Sequence, residues 1–333
     1  MNKATSTSIN FVRFPLAILV VFIHSIGTTE NIAYYAFREF FSHIFCSFVV
    51  PTFFIISGYL FFQKTQNNFT TNIYIEKIKS RFFTLVIPYI VWNTITLSID
   101  YTKYIIGQES WINYGQNSIG YILFLCFLGN PSDLLEGVFY PINLPLWYIR
   151  DLIVLCIISP LLYFLLKKKI TLIMMSLFLF FYLFNIKIPY FNCTSIVFFS
   201  IGAALSIYNK ELIYNKWYIL LGTSIMSLIF YLALEINIAL KFYTCSMPFV
   251  AFHLGSKHKW HKTKYLKNIA NYSTIIYYSH YPLTLIIAIK LINFILPTYS
   301  LINYFIIPLV AVILSIILKI AYTKLLYYGK KKN

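Results

Sequence analysis

Acidic residues are scarce in this chain. Ten Asp and Glu stand against 27 Lys and Arg in 333 residues, and charged side chains of both signs make up 11% of the whole. An ordinary soluble domain is about 25% charged, so a water-exposed globule is excluded. The shortage of carboxylates also counts against a proton-coupled transporter, which needs acids inside its spans; here Asp100, Asp151 and Glu235 come near one. Cysteine is sparse too: Cys46, Cys126, Cys156, Cys193 and Cys245 are scattered through apolar stretches without CxxC or Cys/His clustering, so they read as packed thiols. Neither a disulfide framework nor a metal site is expected. The sequence lacks a Walker A loop, a GxGxxG turn and a GxSxG elbow, which argues against nucleotide-driven work and against a serine hydrolase. It also lacks low-complexity linkers and fixed-period repeats, so residues 1–333 read as one domain.

Apolar sequence is what the chain has in abundance, at 59% hydrophobic. Runs close to the ~20 residues needed to cross ~30 Å of hydrocarbon recur from end to end. They lie near 9–29, 42–62, 82–100, 112–129, 146–166, 170–186, 192–208, 216–233, 236–253, 268–292 and 300–325. Helix is the expected state of each span, because hydrocarbon offers backbone polar groups no outside partner and the runs are too long for barrel strands. The expected fold is therefore an all-α, polytopic transmembrane helix bundle. The first run is long enough to span and has no small-residue cleavage site after it, so it is expected to remain in the mature protein.

The net charge of +17 would suggest a nucleic-acid partner in a soluble protein. Here the basic residues collect in the connectors, as the positive-inside rule requires, and no nucleic acid is expected. With Lys3 inside, the segment 63–81 carrying Lys64, Lys77, Lys79 and Arg81 also falls inside after two crossings. If 112–129 then crossed, Lys167 to Lys169 and the cluster Lys257, Lys259, Lys262, Lys264 and Lys267 would lie outside. That run contains Gly115, Gly120 and Gly129 and is followed by Pro131, Asp133 and Glu136. It is expected to be re-entrant or interfacial, within an extracytoplasmic loop over 101–145. Ten spans remain, with both termini cytoplasmic.

Within the first run, "RFPLAILVVFIHS" carries two ionisable residues, Arg13 and His24. Eleven residues of helix give a net turn of ~20° and a rise of ~16 Å, so the two share one face at different depths. An arginine forks onto phosphate without losing its charge, and a neutral imidazole accepts a proton near pH 7. The pair suits a long anionic ligand held by its charged end, with the far end at a base in a common hollow. The alternative is an arginine that snorkels and a histidine that binds a neighbouring helix.

The Arg13 and His24 spacing resembles the signature of the membrane acyltransferase family 3, multi-pass enzymes that O-acylate surface sugars and other acceptors. Three further stretches fit in the same order: "PTFFIISGYLFF" (51–62), "LPLWYIRDLIVL" (144–155) and "YLKNIANYSTIIYYSHYPL" (265–283). The resemblance implies about ten spans, Arg13 and His24 as the functional pair, Ser57 and Gly58 shaping the second helix, and Trp147 and Tyr148 lining the site. It further implies acyl-CoA, acetyl-CoA above all, as donor substrate, with membrane lipid around the chain and a sugar or lipid-linked glycan as acceptor. A bacterial inner membrane is the expected location. Where many relatives carry Asp just before the arginine, this chain has Asn10.

Other residues admit two readings each. Ser57 is either a nucleophile or a small residue allowing close helix approach. Asp151 either orients His24 or pairs with Arg150. Trp147 and Tyr148 either stack on a sugar ring or anchor at an interface. His280, two residues before Pro282, either contacts substrate or is a satisfied structural histidine. Lys77, Lys79 and Arg81, together with the lysines of 257–267, either steer coenzyme A or mark topology alone. His253, His258 and His261 read as solvated or headgroup-facing. A glycan exporter or flippase of the same fold, without acyl transfer, is the competing function. The sequence leaves the oligomeric state open.

Overall fold

The computed structural model describes residues 3–25, 32–63, 65, 69–114, 117–129, 140–167, 171–186, 192–257, 269–295 and 301–332. Lys64, Gly115, Pro131, Asp133, Glu136, Lys168, Lys169, His258, Lys259, His261, Lys262, Lys264 and Lys267 lie outside them, so the expectations placed on those residues do too. Among the described residues every regular element is helical.

Each of the ten expected spans has a helical counterpart, and six helices are long and apolar enough to cross a bilayer: Lys3–Ile23, Tyr34–Phe61, Thr71–Ile105, Trp217–Leu234, Ser273–Ile295 and Leu301–Lys324. A seventh candidate is the pair Leu144–Ile157 and Ser159–Lys167, bent by 65° where Pro160 interrupts the ladder. Thr171–Leu183 and Cys193–Ile207 are apolar but shorter, at 13 and 15 residues. Asn237–Lys257, with Pro248 inside, falls outside the six. The demoted run holds a helix of nine residues, Ile119–Phe127, whose ~14 Å rise spans half the hydrocarbon at most. The connector expected over 63–81 is helical from Thr71, where the Thr70 hydroxyl caps the Ile73 amide, and runs on through a π-turn at Phe82–Val86.

The chain divides into two compact units: residues 50–253 with residue 1, and residues 2–49 with 254–333. In the first, α3 (Val49–Phe61) crosses α10 (Cys193–Ile207) at backbone contact. A Cβ on Gly58 would lie 2.1 Å from the Phe199 carbonyl oxygen, and one on Gly202 would lie 2.0 Å from that of Ile55. Only glycine admits such an approach, the usual device where lipid supplies no hydrophobic drive between helices. In α5 (Ile87–Ile105), buried Asp100 accepts hydrogen bonds from the Trp111 amide (2.8 Å), the Ile112 amide (3.3 Å) and the Tyr114 hydroxyl (3.0 Å). Burial and the Asp100 carboxylate hold the Tyr114 phenol above its usual pKa, so it stays a donor. Asn93 and Thr96 bind Asn143, which fixes the approach to α7 (Trp147–Ile157). Most apolar side chains of α11 (Trp217–Leu234) are exposed and none is buried, as a lipid-facing helix requires.

The second unit joins α1 (Lys3–Ile23), the run from α2 (Ile32–Arg38) through Phe48, α13 (Ser273–Ser279), α14 (Leu285–Ile295) and α15 (Leu301–Lys332). Ala17 and Val21 of α1 pack with Ile276, Leu285, Ala288, Ile307, Ala311 and Val312 into its apolar core. Phe22, Tyr34 and Tyr304 form a second cluster at the far end of α1. Buried hydroxyls join the helices across this packing: Ser42 donates to the Phe22 carbonyl (2.7 Å) and bonds Tyr304, while Ser279 bonds Ser315 (2.8 Å).

Candidate active site

Arg13 and His24 both belong to the second unit. The buried positions of α1, among them Ser8, Ile9, Val12, Leu16, Ala17, Val20 and Val21, recur at three- and four-residue spacing, and the two polar residues continue that stripe. Arg13 donates from Nη2 to the Thr274 hydroxyl of α13 at 3.3 Å. His24 follows the last residue of α1, half-buried, with its ring 5.3 Å from that of His280 and 6.2 Å from that of Tyr281. Thr274 and His280 follow each other along the chain as Arg13 and His24 do, so α1 and α13 run in the same sense.

Pro282 removes a helix hydrogen bond, and the span 273–295 breaks just ahead of it. Tyr281 adopts extended backbone (φ −120°, ψ 136°) inside a π-turn over His280–Thr284, and the Tyr281–Pro282 peptide is cis. Irregular backbone at membrane depth is tolerated where it is buried in protein, and it places His280 in the interior, fully buried.

The two polar ends of α1 are separated within this unit. Ala17 and Val20 fill the helix face between Arg13 and His24, and both are buried; Ala17 is part of the apolar core with Ile276. Inside this unit the apolar packing around Ala17 has a cationic group toward one end and a pair of imidazoles toward the other.

Three linked residues, Arg38, Glu39 and His43, escaped the sequence reading. His43 lies within electrostatic reach of His24. Its Nε2 is 3.7 Å from Glu39, which Arg38 binds at 2.9 Å. The Glu39 and His43 spacing of four residues was the available signal; starting the apolar run at 42 hid it. Lys319 was also missed: it bonds the Asn271 carbonyl and covers the Tyr272 ring, near Thr274 in sequence. No group of three or more His, Cys, Asp or Glu among the described residues could hold a metal.

The remaining candidates belong to the first unit. Ser57 shares a 2.8 Å hydrogen bond with the Tyr148 hydroxyl, which also donates to the Phe53 carbonyl (3.3 Å). A phenol is no base for a serine nucleophile, and the bond reads as helix pairing. Trp147 packs on Phe54 with ring centres 6.1 Å apart. Asp151 is buried and paired with Arg150, whose Nη2 and Nε lie 2.8 and 3.1 Å from one carboxylate oxygen. Lys77 donates to the carbonyls of Phe61 and Gln63, capping the end of α3, and Arg81 lies over the Phe61 ring. Lys79 is exposed. His253, expected near headgroups, is buried and stacked on Trp217, ring centres 5.0 Å apart, because α12 (Asn237–Lys257) continues past it.

A family model described as an acyltransferase domain matches residues 6–323, which is nearly the whole chain and includes Arg13, His24 and His280. The chain belongs to the membrane acyltransferase family 3. Membership agrees with the apolar helices: this is a multi-pass membrane protein. The succinoglycan biosynthesis protein ExoH of Rhizobium meliloti (strain 1021) is 26% identical over 181 residues, covering 50% of this chain and 45% of that protein. The chain thus spans about half the length of the curated relative it matches. No solved structure matches this acyltransferase-family chain.

Proposed function

We propose that the protein is an integral membrane O-acyltransferase that moves an acyl group, with acetyl the first to test, from cytoplasmic acyl-CoA to a hydroxyl of a sugar or lipid-linked glycan. The observation that carries the reading is the His24 and His280 pair at one end of α1, with Arg13 at the other, inside a chain of this family. The relative's name, a succinoglycan biosynthesis protein, supports a glycan as the acceptor class, and a bacterial inner membrane with both termini cytoplasmic completes the picture.

In this reading Arg13 takes a phosphate of the donor, and its ~16 Å height below His24 suits an extended pantetheine arm. Lys77, Lys79 and Arg81 of the first unit would attract an anionic donor at long range. His24 accepts the hydroxyl proton as the acceptor oxygen attacks the thioester carbonyl carbon. The C–S bond then breaks, and the thiolate leaves with that proton. General base catalysis of this kind is worth about 10²–10⁴-fold. Attack by His24 itself, giving an acyl-histidine, is the covalent variant. Trp147 and Tyr148 offer faces for a sugar ring.

The test compares the acyl groups on cell-surface glycans with and without this protein, then with His24→Ala and Arg13→Ala at matched expression. Acylation lost in the deletion and in His24→Ala supports the proposal. Loss in the deletion alone, with both variants fully active, removes the mechanism and keeps the function. Unchanged acylation in every strain favours glycan export.

A further inference from the structure

His280 offers its surroundings one unmistakable chemical face. Its Nδ1 lies 2.7 Å from the Tyr277 carbonyl oxygen and 3.1 Å from that of Ile276. Carbonyl oxygens accept and never donate, so Nδ1 carries the proton and Nε2 keeps a lone pair. Among the described residues that Nε2 is buried and has no hydrogen-bond partner. A buried acceptor left open is costly enough that native structures normally fill it.

The ring beside it is His24, with centres 5.3 Å apart and planes inclined by 37°. An N–H···N bond of about 2.9–3.0 Å puts two imidazole centres roughly 5 Å apart, which is the separation these two rings have. Neither ring nitrogen of His24 has a hydrogen-bond partner among the described residues, and apo geometries of catalytic hydrogen bonds are often open in this way. Of the carboxylates that might orient His24, Glu39 is held by Arg38 and stands beside His43, and Asp151 is paired with Arg150.

We propose that His280 is the positioning residue for His24, accepting a hydrogen bond at Nε2 so that the far nitrogen of His24 is the deprotonated one that faces the acceptor hydroxyl. The proposal rests on the acyl-transfer reading of His24. The Tyr277 carbonyl fixes the His280 tautomer, His280 fixes the tautomer of His24, and the far nitrogen is left as the base. When it takes the hydroxyl proton, the imidazolium donates more strongly to His280, until the leaving thiolate removes a proton and both rings are neutral again. An imidazole does here what a carboxylate does in a serine-type triad, without placing a charge in hydrocarbon at rest.

The experiment uses the full chain in lipid nanodiscs. His280→Phe keeps the bulk and removes the acceptor; His280→Gln places an amide oxygen near the position of Nε2. Initial rates are measured with acetyl-CoA and a soluble sugar acceptor, and 15N-histidine NMR, assigned with His24→Ala, reads the tautomer of His24. The expectation is a kcat loss of about 10²–10⁴-fold in His280→Phe with both KM values within a few-fold, and recovery of at least about tenfold in His280→Gln. His24 should show one tautomer in the unaltered chain and exchange between two in His280→Phe. Equal loss in both variants with an unchanged His24 tautomer would overturn the proposal, as would full activity of His280→Phe. An unaltered chain that transfers no acyl group sinks the functional reading instead, and the NMR then still decides whether His280 holds His24.

Discussion

Gly58 and Gly202 meet where α3 crosses α10, each lying where the other helix's backbone would strike a methyl group. The crossing sits one residue from Ser57 and sets the height at which that hydroxyl meets Tyr148. Gly58→Ala and Gly202→Ala are each expected to destabilise the protein by about 1–3 kcal/mol or more, as overpacking does. Gly222→Ala is the control, because nothing lies within 4 Å of a Cβ there, and a helix-interior Gly→Ala change in open space stabilises by roughly 0.5–1 kcal/mol. Thermal unfolding in detergent at matched protein-to-detergent ratio compares the three. An unaffected Gly202→Ala would mean the helices do not approach this closely.

Ser57→Ala separates helix pairing from nucleophilic catalysis. The change removes one hydrogen bond to Tyr148, worth about 1 kcal/mol, and leaves the glycine crossing intact. Acyl transfer should stay within about threefold of the parent. A nucleophilic serine would instead lose activity by about four orders of magnitude or more, as enzymes do when their nucleophile is removed. Initial-rate measurements on purified protein distinguish the two.

The sequence showed α1 well because two signals coincide there: an apolar period that builds the helix and two costly ionisable residues on one face of it. The Gly58 contact was half visible. A small residue in a span suggests close approach, but its partner Gly202 lies 144 positions on and no local rule selects it. His280 was visible as a buried histidine ahead of a proline, whereas its ring contact with His24 joins opposite ends of the chain and needs coordinates. Arg38, Glu39 and His43 were overlooked because a hydropathy run is cut where charge begins, although Arg38 pairs with Glu39 and His43 stands beside it inside the helical run Tyr34–Phe61. Positive-inside bookkeeping led to Lys77 and Arg81 as connector charges, and packing on Phe61 is a role that charge counting does not reveal.

Arg13 tests the donor end. Its hydrogen bond to Thr274 is a neutral-acceptor contact at 3.3 Å, weak beside the charged, forked bond a phosphate would offer. Arg13→Ala is expected to raise the KM for acyl-CoA by about 10–100-fold, the equivalent of one charged hydrogen bond at about 1.5–3 kcal/mol, with a smaller effect on kcat. Thr274→Val should change that KM by less than about fivefold. Comparable effects of the two changes would assign Arg13 to helix packing.

Asp100 organises the loop that follows α5, since three donors between Trp111 and Tyr114 converge on its carboxylate. Asp100→Ala should open residues 106–114 to limited proteolysis and to faster amide exchange, while acyl transfer by the folded fraction is retained. Hydrogen exchange followed by mass spectrometry checks this. Protection unchanged from the parent would show that the loop is held by other contacts, such as Lys103 over the Trp111 ring.

Arg150 and Asp151 form a buried pair, their side chains 14% and 6% exposed. Removing one partner strands the other. Asp151→Asn leaves Arg150 with a weaker acceptor, and Arg150→Met leaves a carboxylate in an apolar interior, so Arg150→Met should be the more damaging, by about 3–5 kcal/mol. The double change Arg150→Met with Asp151→Leu should recover most of that loss, because replacing both members of a buried ion pair by apolar residues of similar volume is often neutral or stabilising. If Asp151 acts in catalysis instead, the double variant will regain its unfolding temperature without regaining acyl transfer. Measuring both quantities on the same three proteins therefore separates an ion pair kept for packing from a carboxylate kept for chemistry.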